Sequence, residues 1–382
     1  MKHPAKVALL IETSNAYARG LLRGIVSYIR EHRPWSLHLA EHGRGDKPPG
    51  WLANWKGDGI IARIENRFIA EALRGLKVPI IDVSAARLLP ALPWFETDDA
   101  IVSRLAAEHL LERGFKNFAY CGDSRFNWSN WRSEQFLTTL QKAGFPCHVY
   151  LPNKRLAAND EGQIEDIGNW IKKLPKPIGV MTCYDHRGQQ LLAACRRLSL
   201  AVPEEVAVIG VDNDELLCDL SSPPLSSVIP NTHRTGYEAA ALLDQMMSGA
   251  TVKPASYLIA PLGIATRQST DVLAIDNRNI AQALHYIREH ACDGINVEDV
   301  LKAVPHSRRL LESHFKKLIG RTPNGEITRV QLNRVKQLLT ETTLSLREIS
   351  ERAGFSHVEY LSVVFKKKIG LPPSRYRALH HP

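Results

Sequence analysis

Two stretches near the C-terminus, VEDVLKAVPHSRRLLESHFKKLIGRTP and LREISERAGFSHVEYLSVVFKKKIGLPP, share one layout. No other feature of the 382 residues narrows the possible folds as far. Val297, Val300 and Ser307 match Leu346, Ile349 and Ser356 at an offset of 49, while Leu311, Phe315, Gly320 and Pro323 match Leu361, Phe365, Gly370 and Pro373 at an offset of 50. A duplicated helix-turn-helix unit is far more specific than either copy alone. In each copy a serine, Ser307 or Ser356, stands where an N-cap belongs, and the helix it opens stops at Gly320 or Gly370. Between the copies, TPNGEITRVQLNRVKQLLTE places Pro323 at a helix start and Ile327, Val330, Leu332, Val335, Leu338 and Leu339 on one apolar face. At ~1.5 Å per residue that connecting helix spans on the order of 27 Å.

Helical geometry sorts the remaining side chains. With Leu311, Phe315 and Leu318 as the buried stripe, the opposite face of the first candidate recognition helix carries Arg309, Ser313 and Lys316, next to Arg308. The second presents Glu359, Val363 and Lys366, with Tyr360 and Ser362 at its flanks and His357 at its start. A groove-facing Arg reads guanine, Lys mostly meets phosphate and Glu accepts from cytosine. Charge points the same way. Met1 to Asp276 holds 31 Lys and Arg against 30 Asp and Glu, whereas Asn277 to Pro382 holds 18 against 10, so nearly all of the net +9 belongs to the last third. That balance implies an anionic partner, nucleic acid rather than membrane, because no long basic amphipathic face with exposed aromatics occurs. Recognition helices in successive major grooves sit roughly 34 to 36 Å apart, so one chain is predicted to reach two adjacent grooves of double-stranded DNA.

The segment from Ile280 to Arg377 resembles the AraC/XylS-type DNA-binding domain, with GFSHVEYLSVVFKKKIGLPPSRYR carrying the signature. The first copy departs from the pattern at Pro305, in a turn where a small or flexible residue is usual.

Upstream the pattern changes. KVALLI is an apolar run of strand length, followed at helical spacing by Ala18, Leu21, Leu22, Ile25, Val26 and Ile29. The alternation continues through DGIIARI before a helix from Phe68 to Leu76, VPIIDVS, LAAEHLLERG then NFAYCG, IGVMTCY before GQQLLAACRRLSL, and VAVIGVDN. Alternating strands and helices predict parallel sheets covered on both faces, with ligands beyond the carboxyl ends of the strands. The residues at those ends are polar: Glu12, Asn15, Tyr17 and Arg19; Trp128, Trp131 and Arg132; Asp185 and Arg187; Asp212, Asn213 and Asp214. Amides, carboxylates and a guanidinium suit vicinal hydroxyls, and a Trp face suits the C–H face of a sugar ring.

FETDDAIVSRLAAEHLLERGFKNFAYCG, WRSEQF and VAVIGVDNDELLCDLSSPPLSSVIPN resemble the bilobed sugar-sensing domain of LacI-type regulators and periplasmic sugar-binding proteins. The resemblance implies two Rossmann-like lobes joined by three crossovers, near Thr97 to Asp99, near Ser227 to Asn231 and just before Gly263. It also implies ligand contacts from Arg132, Asp185 and Asn213, with Asp212, Tyr17 and Trp128 beside them. The DNA headpiece usual at the N-terminus of LacI-type proteins has no counterpart here, which leaves DNA binding to the other end.

The expected architecture is therefore an α/β, periplasmic-binding-protein-like sensor over residues 1–275 and an all-α double helix-turn-helix domain over 276–382. A LacI-like sensor followed by an AraC-type reader is the order of bacterial xylose-operon regulators, and WLANWKGDGIIARI, RQSTDVLAIDNRNIAQALHYIREHACDGI and TTLSLREIS are similar to stretches of that family. What this resemblance implies is a cytoplasmic transcription activator that responds to D-xylose, needs no cofactor or metal, and acts as a homodimer on operator DNA, with RNA polymerase as a further partner. The residues themselves indicate a polyol-type cleft and a two-unit DNA reader, not which sugar. A regulator of another sugar and a sugar-processing enzyme are the rival readings. Against the enzyme, no GxxxxGK loop, HExxH pair or GxSxG elbow occurs, and DNDELLCDLSSP lacks the glycine and final Glu of a calcium hand. No apolar run approaches the ~20 residues of a membrane span. MKHPAKVALLIETSN reads as a first strand rather than a signal peptide, and the six cysteines lack any CxxC pair, as expected of reduced thiols.

Overall fold

The computed structural model describes residues 3–41, 43, 45–152, 159–271 and 277–380. Contacts divide the chain into two compact units, Met1–Val272 and Leu273–Pro382. The boundary expected between residues 275 and 276 lies outside the described residues. Among the described residues no helix is long and apolar enough to cross a membrane.

The first unit opens with β1 (Ala5–Leu10), α1 (Ala16–Glu31), β2 (Trp35–Leu39), β3 (Gly59–Ala62), α2 (Arg67–Arg74), β4 (Ile80–Asp82) and β5 (Trp94–Thr97). The chain then crosses to a second lobe built from α3 (Asp99–Glu112), β6 (Asn117–Cys121), α4 (Asn127–Lys142), β7 (Cys147–Val149), α5 (Asp160–Ile171), β8 (Ile178–Thr182), α6 (Asp185–Arg197), β9 (Val206–Val211), α7 (Glu215–Leu220) and β10 (Ser226–Ile229). It returns through α8 (Thr232–Met247) and β11 (Ser256–Ile259), and crosses a third time into β12 (Gly263–Ala265). The two six-stranded sheets run β11-β5-β4-β3-β1-β2 and β12-β10-β9-β8-β6-β7. Each lobe is thus a doubly wound sheet whose strand order reverses, between β1 and β3 in one and between β6 and β8 in the other, and the three crossovers lie where the resemblance put them.

The central strands β3, β8 and β9 are buried along their whole length, because helices cover both faces. Helices α1 and α3 are fastened at their N-termini: Asn15 Oδ1 accepts from Ala18 N at 2.8 Å, and Asp98 Oδ1 accepts from Ala100 N and Ile101 N at 3.1 Å. Helices α1 and α8 approach so closely that a Cβ on Gly24 would lie 2.0 Å from the His233 carbonyl oxygen, and one on Gly236 2.0 Å from that of Leu21. One expectation needs correction. β12 runs antiparallel to β10, in an otherwise parallel sheet. Both sheets point their carboxyl ends at the gap between the lobes, so a chain entering from that gap directly as a strand must run against its neighbours; the other two crossovers enter as helices.

The second unit is helical: α9 (Arg278–His290), α10 (Val297–Ala303), α11 (Arg308–Ile319), α12 (Pro323–Glu341), α13 (Leu346–Arg352), α14 (Val358–Ile369) and α15 (Pro373–His380). α10–α11 and α13–α14 are the two helix-turn-helix pairs, and α12 joins them. Both leading helices open with a capping box, Asn296 with Asp299 and Ser345 with Glu348. Phe315 and Phe365, the repeat-related pair, are fully buried. In α12 the Gln331 amide donates to the Ala291 carbonyl and to the Gly354 carbonyl, both at 3.0 Å, tying two turns to one side chain. Gly354 has φ +74°, and a Cβ there would meet the Ala291 oxygen at 2.7 Å. Ser307 caps α11, accepting from Leu310 N at 3.4 Å, but the residue at the N-cap of α14 is His357, without a side-chain cap bond, rather than Ser356. The extra residue of the second copy falls in the turn ahead of the helix, which moves the serine one step before the cap.

Candidate functional site

The two switch points face each other across the gap, and a cavity of about 210 Å³ lies between them. From the first lobe it is lined by Asn15, Ala16, Tyr17, Arg63 and Glu96, and from the second by Trp128, Arg132, Tyr184, Asp185, His186, Asp212, Asp214 and Leu217. Tyr17, Trp128, Arg132, Asp185 and Asp212 are therefore brought together as the sequence led us to expect. Asn213 is not among the lining residues; its Oδ1 accepts from Arg267 Nη1 at 2.8 Å. Of the other polar residues at strand ends, Glu12 is buried against Arg63 at 2.8 Å, Trp131 packs edge-on against Trp94, and Arg187 is buried among Asp123, Gln163 and Gln190.

Each lobe contributes a fixed polar group. In the first, the Tyr17 hydroxyl donates to Glu96 Oε1 at 2.5 Å, and Arg63 pairs with Glu12 and Glu65 while its guanidinium lies 5.1 Å from the Tyr17 ring centroid. The Arg63 Nε is buried with no hydrogen-bond partner among the described residues. Burial, and Asp99 nearby, push the Glu96 carboxyl up to about 7 against the pull of Tyr17 and Arg63. In the second lobe, Arg132 donates from Nε to Asp99 and from Nη1 to the Cys183 carbonyl, each at 2.6 Å. Its charge lies 5.0 Å from the Trp128 ring, which Tyr184 meets edge-on. Asp185 accepts from Ser227 Oγ at 2.6 Å and from Asp214 N at 2.8 Å, yet burial and the Asp212 carboxylate push its carboxyl up to about 8. Planar donors and acceptors beside aromatic faces, enclosed on two sides, match a small polyhydroxylated ligand. Among the described residues no group of three or more His, Cys, Asp or Glu side chains could hold a metal ion.

Sequence reasoning missed Arg63, Glu96, Tyr184, His186 and Leu217. Two of these carried a signal: Arg63 is a lone charge in the apolar run GIIARI, and Glu96 a lone charge in the strand before TDD.

In the helical unit, Arg309, Ser313 and Lys316 stand exposed on α11, and Glu359 and Lys366 on α14, with His357 exposed at its start and Ser362 half-buried. Arg308, also exposed, is held in ion pairs with Glu298 at 2.6 Å and Glu312 at 3.1 Å. Tyr360 and Val363, 59% and 65% exposed, add apolar surface to the same face of α14.

Comparison with known proteins agrees with both halves. Residues 6–100 match the XylR N-terminal domain, 107–270 the periplasmic binding protein-like domain and 300–379 a helix-turn-helix domain. The xylose operon regulatory protein of Escherichia coli K12 is 33% identical over 97% of this chain and 96% of its own, and that of Haemophilus influenzae is 33% identical over 97% and 98%. A solved xylose-binding transcription activator, XylR, superposes over the whole of both chains with a TM-score of 0.86 at 31% identity. A LacI-type regulator from Alkaliphilus metalliredigens, at 19% identity and TM-score 0.55 over 69% of this chain and 98% of its own, shares the fold of the first unit. With a sugar-sized cleft in one unit, two helix-turn-helix pairs in the other and this likeness along nearly its full length, the chain belongs to the xylose operon regulatory protein family, whose members are transcription regulators rather than enzymes.

Proposed function

We propose that this regulator is a cytoplasmic transcription activator whose effector is D-xylose, bound in the cleft between the lobes of a sensor spanning residues 1–275, and that residues 276–382 hold operator DNA. The observation that carries the reading is the cleft itself: Tyr17, Arg63 and Glu96 from one lobe meet Trp128, Arg132, Asp185 and Asp212 from the other around a cavity of about 210 Å³. Asp185 and Asp212 accept from vicinal hydroxyls, Arg132 donates, and Trp128 covers the ring face. Arg309, Ser313, Lys316, Glu359, Ser362 and Lys366 face the DNA grooves, with Arg308 and His357 at their edges. The sensor pairs two chains as a homodimer, so that sugar binding rearranges the pair and sets the readers on direct half-sites near RNA polymerase.

Calorimetric titration with D-xylose, L-arabinose, D-ribose and D-glucose tests the effector. Selective heat from D-xylose, lost in Asp185→Ala while sugar-free DNA binding persists, is the expected result. Heat from another pentose alone would replace the inducer and keep the regulator. Sedimentation of the full chain with and without D-xylose tests the dimer.

A further inference from the structure

The turn that follows β9 faces two ways. Asp212 and Asp214 line the cavity, while Asn213 between them presents its amide oxygen to Arg267 Nη1 at 2.8 Å. Asp212 and Asn213 both hold positive φ, +105° and +46°. Non-glycine residues seldom occupy that region, and where they do the strain gathers at ligand clamps and switches. The Asn213 amide is joined directly to Asp212 through this strained backbone, so a shift of Asp212 bears on the contact with Arg267.

Arg267 is placed to feel such a change. Its side chain is only 17% exposed and spans three elements: Asn213, the Leu225 carbonyl at 3.2 Å, and Asp219 of α7, which Nε meets at 2.8 Å. Its backbone N–H donates to Ser226 Oγ at 2.8 Å. The residues that follow are bolted down in turn. Ser269 Oγ donates to the Val208 carbonyl at 2.6 Å, Thr270 Oγ1 bonds His109 at 2.8 Å, and Arg113 Nε donates to the Thr270 carbonyl at 2.6 Å. This is the last described stretch of the sensor, and the helical unit begins its first helix at Arg278.

We propose that Arg267 is a positioning residue, the link through which sugar held by Asp212 biases the chain segment leading to the DNA reader. The strained Asp212–Asn213 turn is where the sugar acts, and Arg267 joins that turn to residues 268–270. The proposal rests on the reading that a sugar in the cleft alters DNA binding, and a coupling of that kind is a ratio of affinities that can be measured.

The test uses the full chain, D-xylose, and a DNA duplex enriched by the wild-type protein from a random pool. Arg267→Lys keeps the charge but cannot reach Asn213, Leu225 and Asp219 together; Arg267→Gln also removes the charge. For each, operator affinity is measured by fluorescence anisotropy with and without sugar, sugar affinity by calorimetry, and folding by thermal melting. Expected are retained sugar affinity, retained sugar-free DNA affinity and melting, and a sugar-induced change in DNA affinity that collapses toward unity. A wild-type ratio in folded Arg267 variants overturns the proposal. Should both variants fail to fold, Asp219→Ala, at a half-exposed position, loosens the guanidinium from one side only: a reduced ratio supports the proposal and an unchanged one overturns it. A wild-type protein whose DNA affinity ignores D-xylose would instead sink the functional reading, and this inference with it.

Discussion

Asp185 keeps its proton to about pH 8 because it is buried with the Asp212 carboxylate nearby, and two donors, Ser227 and the Asp214 amide, only partly offset that. The sign of the consequence follows from linkage. A carboxyl raised in the folded state contributes stability that is whole below its ordinary value near ~4 and is lost as pH rises through the folded value. Replacing Asp185 by Asn, which mimics the protonated form, is therefore expected to make the protein more stable than wild type at pH 9 and to flatten melting temperature against pH between 6 and 9. On the proposed reading sugar hydroxyls donate to the ionised form, so D-xylose affinity in the wild type is expected to rise toward pH 8 and level off above it, by up to ~10-fold per pH unit. Proton release on binding, measured calorimetrically in buffers of differing ionisation enthalpy, checks it. A flat profile would remove Asp185 from the contacts. Glu96, pushed up to about 7, titrates in the same direction, and the Asp185→Asn variant separates the two.

At the scale of elements, α11 and α14 are expected to do different work. Arg309 stands on an exposed face, where a guanidinium can read guanine, while Lys366 sits in a last-turn cluster with Lys367 and Lys368 suited to phosphate. Arg309→Ala is expected to lose ~1 to 3 kcal/mol of specific operator binding and relax specificity at one position. Lys366→Ala is expected to weaken all sequences alike and lower the salt slope by about one. Equal behaviour in binding assays on operator and random duplexes would refute the division. Elements of this kind were readable in advance where burial imposes a period. The core strands β1, β3, β8 and β9 are continuous apolar runs, and the repeat exposes the helix-turn-helix pairs. The edge strands β2, β7, β11 and β12 were not readable, because WSLHL, CHV, SYLI and GIA bury too little to leave a pattern. In the cleft, residues directly after strands could be picked out as candidates. Arg63 and Glu96 were hidden inside apolar runs, and only the fold reveals that Asn213 turns to Arg267 while its neighbours line the cavity.

Across the whole molecule, charge is divided as labour is. The first 276 residues are nearly neutral and carry the cleft, and the remainder carries almost all of the net +9. DNA affinity is expected to fall by ~10³ or more between 50 and 200 mM salt if six or more phosphates are neutralised, while D-xylose affinity holds steady, since the sugar is uncharged and releases no counterions. Parallel titrations over that salt range check both. A sugar affinity that tracks salt as steeply would show the two activities to be one.

One side chain in the DNA-reading unit has a consequence for how such a protein can change its targets. Because Gln331 of α12 grips the Ala291 and Gly354 carbonyls from one amide, α12 acts as a caliper with locked jaws. Each residue inserted into it would swing one jaw by about 100° around the helix axis. Helix faces can be rewritten one letter at a time, whereas an insertion in α12 would break this grip. New promoters are expected to come to such a protein through a change of spelling more readily than through a change of spacing.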